Sequence, residues 1–103
     1  MKNLFIATLF VCFSNISFSQ GWSLVWEDDF SGTTLDQSKW THDLGTGSQY
    51  GLWGWGNGEL QFYQAGNTEV SNGTLKIVAK EEPGGLVDSW GNTMYYSSSK
   101  IKT

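Results

Sequence analysis

Thr68 to Lys80 reads TEVSNGTLKIVAK, two runs of strand-forming residues on either side of Asn72-Gly73. This stretch decides the fold class. Asn-Gly tolerates the left-handed conformations that both central residues of a type I′ turn need, and that turn matches the twist of an antiparallel pair. Leu75, Ile77 and Ala79 alternate with Lys76, Val78 and Lys80, the period of a strand with one buried face. A β-hairpin is expected here, with Leu75 and Ile77 in the core.

Upstream, Glu59 to Tyr63 (ELQFY) has strand character. Leu60 and Phe62 face one way; Glu59, Gln61 and Tyr63 face the other and should bond among themselves or to neighbouring backbone. Residues 43 to 58 (DLGTGSQYGLWGWGNG) hold six glycines and no alternation, so they form a long loop of the kind that often carries function. Trp22 to Phe30 (WSLVWEDDF) reads as a short strand running into an acidic turn, continued by Ser31-Gly32-Thr33-Thr34. Leu35 to Trp40 is expected to make one helical turn or an irregular crossing. Leu35 and Trp40 should be packed there, and Trp26, Phe30 and Trp40 should belong to the core.

Downstream, Glu81-Glu82-Pro83-Gly84-Gly85 is a breaker, and Met94 to Thr103 (MYYSSSKIKT) returns to strand composition. Tyr95, Ser97, Ser99 and Ile101 keep a two-residue rhythm to the last residues. An unpaired strand there would present an open edge, so the chain is expected to stop inside its domain. No helix-length apolar periodicity or internal repeat is visible, and the class is all-β.

The first residues are of a different kind. Lys2 precedes an apolar run, Leu4 to Phe13, too short to span a bilayer, and Ser17 and Ser19 supply small residues before a cut ahead of Gln20. Residues 1–19 are therefore expected to be a signal peptide and 20–103 the exported portion, secreted or periplasmic and free of the membrane after cleavage. The single cysteine, Cys12, would leave with the leader, so no disulfide is expected. The chain has ten carboxylates and six lysines and no arginine, a formal charge of −4. Scattered lysines on an acidic chain argue against nucleic acid as a partner. Six tryptophans and thirteen glycines suit a flat face for a neutral polymer.

Candidate chemistry is sparse. His42 is the sole histidine and has no triad around it; a solvated turn is its expected setting. Glu27-Asp28-Asp29 lacks the alternating ligands and glycine of an EF-hand. Trp53, Trp55, Asn57 and Glu59 form the best cluster, because sugars are held by aromatic faces and by amides or carboxylates on their hydroxyls. The alternative for both tryptophans is that they anchor the glycine-rich loop, and for Glu59 that it supports its neighbours.

Four ordered blocks, LVWEDDFSGTTLDQSKWTHDLG, WGWGNGELQFY, VSNGTLKIVAK and YYSSSKIKT, resemble the opening of glycoside hydrolase family 16, in particular its bacterial laminarinase-like endo-β-1,3-glucanases. The resemblance runs from Trp22 to Thr103. It implies the N-terminal part of a jelly-roll β-sandwich of the concanavalin A-like kind, with a glucan lying across the concave face of a full-length, monomeric domain at least about twice as long. It implies retaining hydrolysis of β-1,3 or mixed β-1,3/1,4 glucans, in which two carboxyl groups about 5 to 5.5 Å apart attack and protonate the scissile bond. The family carries them on an E-x-D-x-x-E strand motif. That motif is absent from this sequence: three residues after Asp29 stands Gly32, and Glu81-Glu82 are adjacent. No catalytic residue is assigned, and the chain alone is expected to be inactive.

From the same resemblance, Asn57 is the substrate-binding residue carried over most directly, followed by Trp53 and Trp55. No cofactor is required. A structural calcium is implied on the convex side, bound by backbone carbonyls of Asp29 and Gly73 and by an acid that this chain lacks. The competing reading is a non-catalytic glucan-binding module or lectin on the same sandwich.

Overall fold

The computed structural model describes residues 21–103; the signal peptide expected at residues 1–19 and its cut ahead of Gln20 lie outside the described residues. Seven strands follow in order: β1 Thr41–Asp43, β2 Gln61–Tyr63, β3 Thr68–Ser71, β4 Thr74–Ile77, β5 Lys80–Val87, β6 Thr93–Ser98 and β7 Lys100–Lys102. The hairpin forms as its sequence demands. Val70 faces Leu75 and Ser71 faces Thr74 in the β3–β4 ladder, while Asn72 and Gly73 both take positive φ, 52° and 72°. That is the type I′ conformation.

β6 is the middle strand of a three-stranded sheet, antiparallel to β5 and parallel to β2. It is therefore paired on both sides. β7, the continuation of β6 after a break at Ser99, pairs antiparallel with β1, His42 facing Ile101. β7 thus keeps one open side, as the edge of a two-stranded sheet. The single alternating run becomes two strands, and the residues of its last stretch that are buried are Met94, Ser97 and Ser99, whereas Tyr95 is exposed.

Other expectations also change. Trp22 to Phe30 forms no strand, and Trp22 and Val25 are 90% and 92% exposed. Strand propensity needs a ladder partner to become a strand, and this segment has none among the described residues. The acidic turn does form: Asp28 and Asp29 carboxylates accept the Phe30 and Ser31 N–H groups at 2.9 and 3.1 Å. A turn at Asp36–Trp40 closes on the Asp36 carbonyl. Trp40 Nε1 donates to Asp28 at 2.7 Å, and Trp40 packs on Trp26 and Phe30 with ring centroids 5.2 and 6.1 Å apart. This aromatic cluster is real but not sealed, since Trp26 is half exposed, as is Ile77 of β4.

Glu81 to Gly85 does not break the chain. It lies inside β5 as a wide bulge, the register slipping between Glu81↔Tyr96 and Leu86↔Met94. Pro83 has no N–H to give to a ladder, and the bulge is where a strand accommodates such a residue.

Among the described residues the buried apolar side chains are few, namely Tyr63, Val70 and Met94, and polar side chains share the interior with them. Asn67, just before β3, is 1% exposed. Its Nδ2 donates to the Val78 carbonyl at 2.7 Å and to Ser97 Oγ at 2.9 Å, and its main-chain carbonyl accepts the Val78 N–H at 2.9 Å. Ser97 Oγ in turn donates to Glu82 at 2.7 Å. One amide thus joins the hairpin to the three-stranded sheet. Replacing Asn67 by Ala removes its donor from one buried acceptor, Ser97, and one part-buried acceptor, Val78, and urea denaturation should show a loss of about 1–3 kcal/mol.

Candidate functional site

The sequence between β1 and β2 folds into an ordered rim loop, with 3-10 turns at Ser48–Tyr50 and Trp53–Gly56. Its backbone closes on itself. Gly47 carbonyl accepts the N–H groups of Tyr50 and Leu52, Thr46 carbonyl accepts that of Trp55 at 3.2 Å, and Gly54 carbonyl accepts those of Asn57 and Glu59 at 3.0 Å each. A Cβ on Gly47, whose φ is 85°, would collide with the Leu52 carbonyl oxygen and lie 3.1 Å from Trp55 Cα. Only glycine fits there.

Trp55 sits at φ 56°, a conformation that costs a non-glycine residue about 1–2 kcal/mol. Its indole is held on several sides. Nε1 donates to the Gly45 carbonyl at 3.4 Å, the rings of Tyr50 and Tyr63 lie 5.9 and 6.2 Å away, and Lys100 Nζ stands 4.5 Å above the ring. The two tryptophans therefore part company. Trp55 anchors the loop, whereas Trp53 is 53% exposed beside Leu60, Met94, Tyr95 and Tyr96, which bound a groove of about 130 Å³. Asn57 is exposed, and its amide has no hydrogen-bond partner among the described residues.

Glu59 is engaged within the protein. Its carboxylate accepts the Tyr63 hydroxyl at 2.8 Å and Lys100 Nζ at 3.2 Å, and the Tyr63 hydroxyl also lies 3.4 Å from Gln61. The polar face of β2 satisfies itself, as its alternation implied. Burial, together with the hydrogen bond and negative charge of Glu59, pushes the Tyr63 phenol up to about 12.

His42 is not in a solvated turn. It lies half-buried in β1, its Nε2 2.9 Å from Thr68 Oγ1, and Thr68 continues the contact to Ser99. Asp29 and Gly73 do come together: a Cβ built on Gly73 would stand 4.0 Å from the Asp29 carbonyl oxygen. Among the described residues no group of three or more His, Cys, Asp or Glu is placed to hold a metal ion.

The structure adds a polar clamp at the foot of the loop. Asp88, in the β5–β6 connection, accepts Thr46 Oγ1 at 2.6 Å, the N–H groups of Trp90 and Asn92 at 2.9 Å each, and Asn92 Nδ2 at 2.9 Å. Asn92 also donates to Ser48 Oγ at 3.1 Å. Desolvation pushes the Asp88 carboxyl up, but the bonds from Thr46, Asn92 and Trp90 outweigh it and hold the group well below the usual carboxylate range. The composition of Asp88-Ser-Trp-Gly-Asn92 signals a turn; nothing in it points to Thr46, forty-two residues earlier. A larger open cavity of about 420 Å³, lined by Leu44, Phe62, Val87 and Trp90 among others, reaches Asp88 and touches none of Trp53, Trp55, Asn57 or Glu59.

The loop thus presents an exposed ring, an exposed amide and an engaged carboxylate. Mostly antiparallel strands, tight turns and no α-helix among the described residues define an all-β chain. The comparisons narrow the class. The chain is 40% identical over 87 residues to glucan endo-1,3-beta-glucosidase A1 of Niallia circulans, matching 81% of this chain and 13% of that protein. It is 42% identical over 82 residues to the clotting factor G alpha subunit of Tachypleus tridentatus, matching 80% of this chain and 10% of that one. Superposed on the endo-beta-1,3-glucanase of Pyrococcus furiosus, it gives a TM-score of 0.72 at 42% identity, covering 78% of this chain and 30% of that structure. No protein-family model matches the chain. By sequence and by fold, the chain is a homologue of the laminarinase-type endo-β-1,3-glucanases of glycoside hydrolase family 16, over about a third or less of their length. The all-β jelly-roll expectation is borne out by these neighbours.

Two outcomes follow. Gly47→Ala should destabilise the chain by about 1–3 kcal/mol in urea denaturation, since both φ and space oppose it. Asp88→Asn tests the clamp through pH. A carboxyl whose folded pKa is depressed stabilises above its unfolded value, near 3.9, and loses that contribution as pH falls towards the folded value. The stability gap between wild type and Asp88→Asn should be constant above about pH 5 and shrink steadily below about pH 4.

Proposed function

We propose that this chain is part of a secreted, retaining endo-β-glucanase that cleaves β-1,3 or mixed β-1,3/1,4 glucans, and that it supplies one rim of the substrate groove. The observation that carries this reading is the similarity to endo-1,3-β-glucanases over about four-fifths of the chain, with identities of 40% and 42%. Asn57 would hydrogen-bond sugar hydroxyls, Trp53 would offer its face to the sugar C–H surface, and Trp55 and Glu59 would hold the loop in shape. The ordered loop, the exposure of Asn57 and Trp53, and the neutral character of the rim support these roles.

The paired glutamates would come from outside this sequence, where E-x-D-x-x-E is missing, so the chain binds without cleaving. A structural calcium belongs to the same proposal. The carbonyls of Asp29 and Gly73 would supply two of the roughly six to eight oxygens that such an ion takes, and its bound charge would tie the acidic turn to the hairpin. The reading further includes export directed by residues 1–19, an extracellular or periplasmic location, a monomeric full-length protein and no membrane attachment. No helix among the described residues is long and apolar enough to cross a membrane.

A second reading, a glucan-binding module without hydrolysis, is favoured by the similarity to a clotting-factor subunit, whose name denotes no hydrolase. The two separate on the full-length protein. Release of reducing sugar from laminarin with retained anomeric configuration supports the enzyme; binding without release supports the module. Residues 20–103 alone should release none. In an active full-length protein, Asn57→Ala should raise KM about fivefold, the loss of roughly 1 kcal/mol for one hydrogen bond. An unchanged KM would remove Asn57 from the site.

A further inference from the structure

We infer that Asn57 is a site of spontaneous deamidation, a chemical modification that turns the exposed amide of the rim into a carboxylate. Asn57 is followed by Gly58, and both are exposed. Among the described residues the side-chain amide of Asn57 has no hydrogen-bond partner, and no backbone carbonyl accepts the Gly58 N–H. Gly58 carries no Cβ and sits at φ 68° with nothing near its missing side chain, so its nitrogen can approach the Asn57 side chain without steric opposition. The backbone nitrogen of Gly58 attacks Asn57 Cγ, and the new C–N bond closes a succinimide. The side-chain nitrogen leaves as ammonia, carrying the Gly58 amide proton. Water then opens the ring at either carbonyl, giving aspartate or isoaspartate. Nothing is oxidised or reduced.

The chain contains its own comparison. Asn72-Gly73 is the same dipeptide and is also exposed, but it forms the hairpin turn between the Ser71↔Thr74 and Val70↔Leu75 pairs. Ring closure swings the asparagine backbone out of its native torsion. At Asn72 that distorts the turn that closes the β3–β4 ladder; at Asn57 it disturbs a loop held locally by the Gly54 carbonyl. Local opening is cheaper where no strand pair must part. Asn67 and Asn92 precede threonines, and their amides are committed, to Val78 and Ser97 and to Asp88 and Ser48 respectively. The effect on the rim rests on the glucan reading: a charged group replaces the neutral amide that would meet a sugar hydroxyl, and the isoaspartate product lengthens the main chain there.

The test is mass mapping of the purified chain, aged at mildly alkaline pH in buffer and in guanidinium. Several-fold faster conversion at Asn57 than at Asn72 in buffer, with equal rates in guanidinium, is the expected result. In buffer, where far-UV circular dichroism must show β structure that guanidinium removes, equal rates or faster conversion at Asn72 would overturn the inference. A soluble β-1,3-glucan oligosaccharide in a third arm separates the two readings. Slower conversion at Asn57 alone supports both. Fast conversion at Asn57 that the sugar leaves unaffected upholds the modification site and counts against Asn57 as a glucan contact.

Discussion

The side-chain amide of Asn67 is the point through which the hairpin and the three-stranded sheet are held together. It donates to Val78 and to Ser97, and Ser97 passes the connection to Glu82 on the next strand. Its Oδ1 is buried without a partner among the described residues, a cost borne because the two donor bonds fix how the layers meet. A chain with so few sealed apolar side chains needs such links. Dispersion and desolvation favour collapse in general, whereas directional bonds select one register. The contacts running from His42 through Thr68 to Ser99 do the same work at the seam between β1, β3 and β7.

The rim loop depends on that frame at both ends. At its foot, Asp88 grips Thr46 from the β5–β6 connection; at its far end, Lys100 and Tyr63 grip Glu59. Between them Trp55 takes a left-handed backbone, tolerable because its indole is fixed by Tyr50, Tyr63 and Lys100. Strain of this kind persists where surrounding contacts over-determine a position. The outcome is a division of labour between two tryptophans one residue apart. One turns inward and stiffens the loop, while Trp53 and Asn57 stay exposed.

Hydrolysis of a glycosidic bond needs two carboxyl groups a few ångströms apart across the sugar. Here the rim carboxylate, Glu59, is occupied by a phenol and an ammonium, and no second carboxylate stands in the required sequence relation. Among the described residues the rim therefore presents no pair of free carboxylates, and what it exposes instead is the Trp53 ring and the Asn57 side chain.

The hairpin at Asn72-Gly73, the facing of β2, the turn at Asp28–Asp29 and the all-β class were determined by local sequence, because turn chemistry and two-residue alternation act between residues near one another along the chain. The ordered blocks likewise carried the homology. The tertiary structure alone decided which strand met which. It left Trp22–Phe30 without a ladder, took Pro83 and its neighbours into a bulge, drew His42 into a strand, and brought Thr46 to Asp88 and Glu59 to Lys100. Apart from the bulge, whose β6 partners lie nearer along the chain, each of these outcomes turns on a partner between about forty and sixty residues away or on a partner that is missing. Propensity and spacing describe what a segment can do; whether it does so is settled by the groups that come to satisfy its backbone and side chains in space.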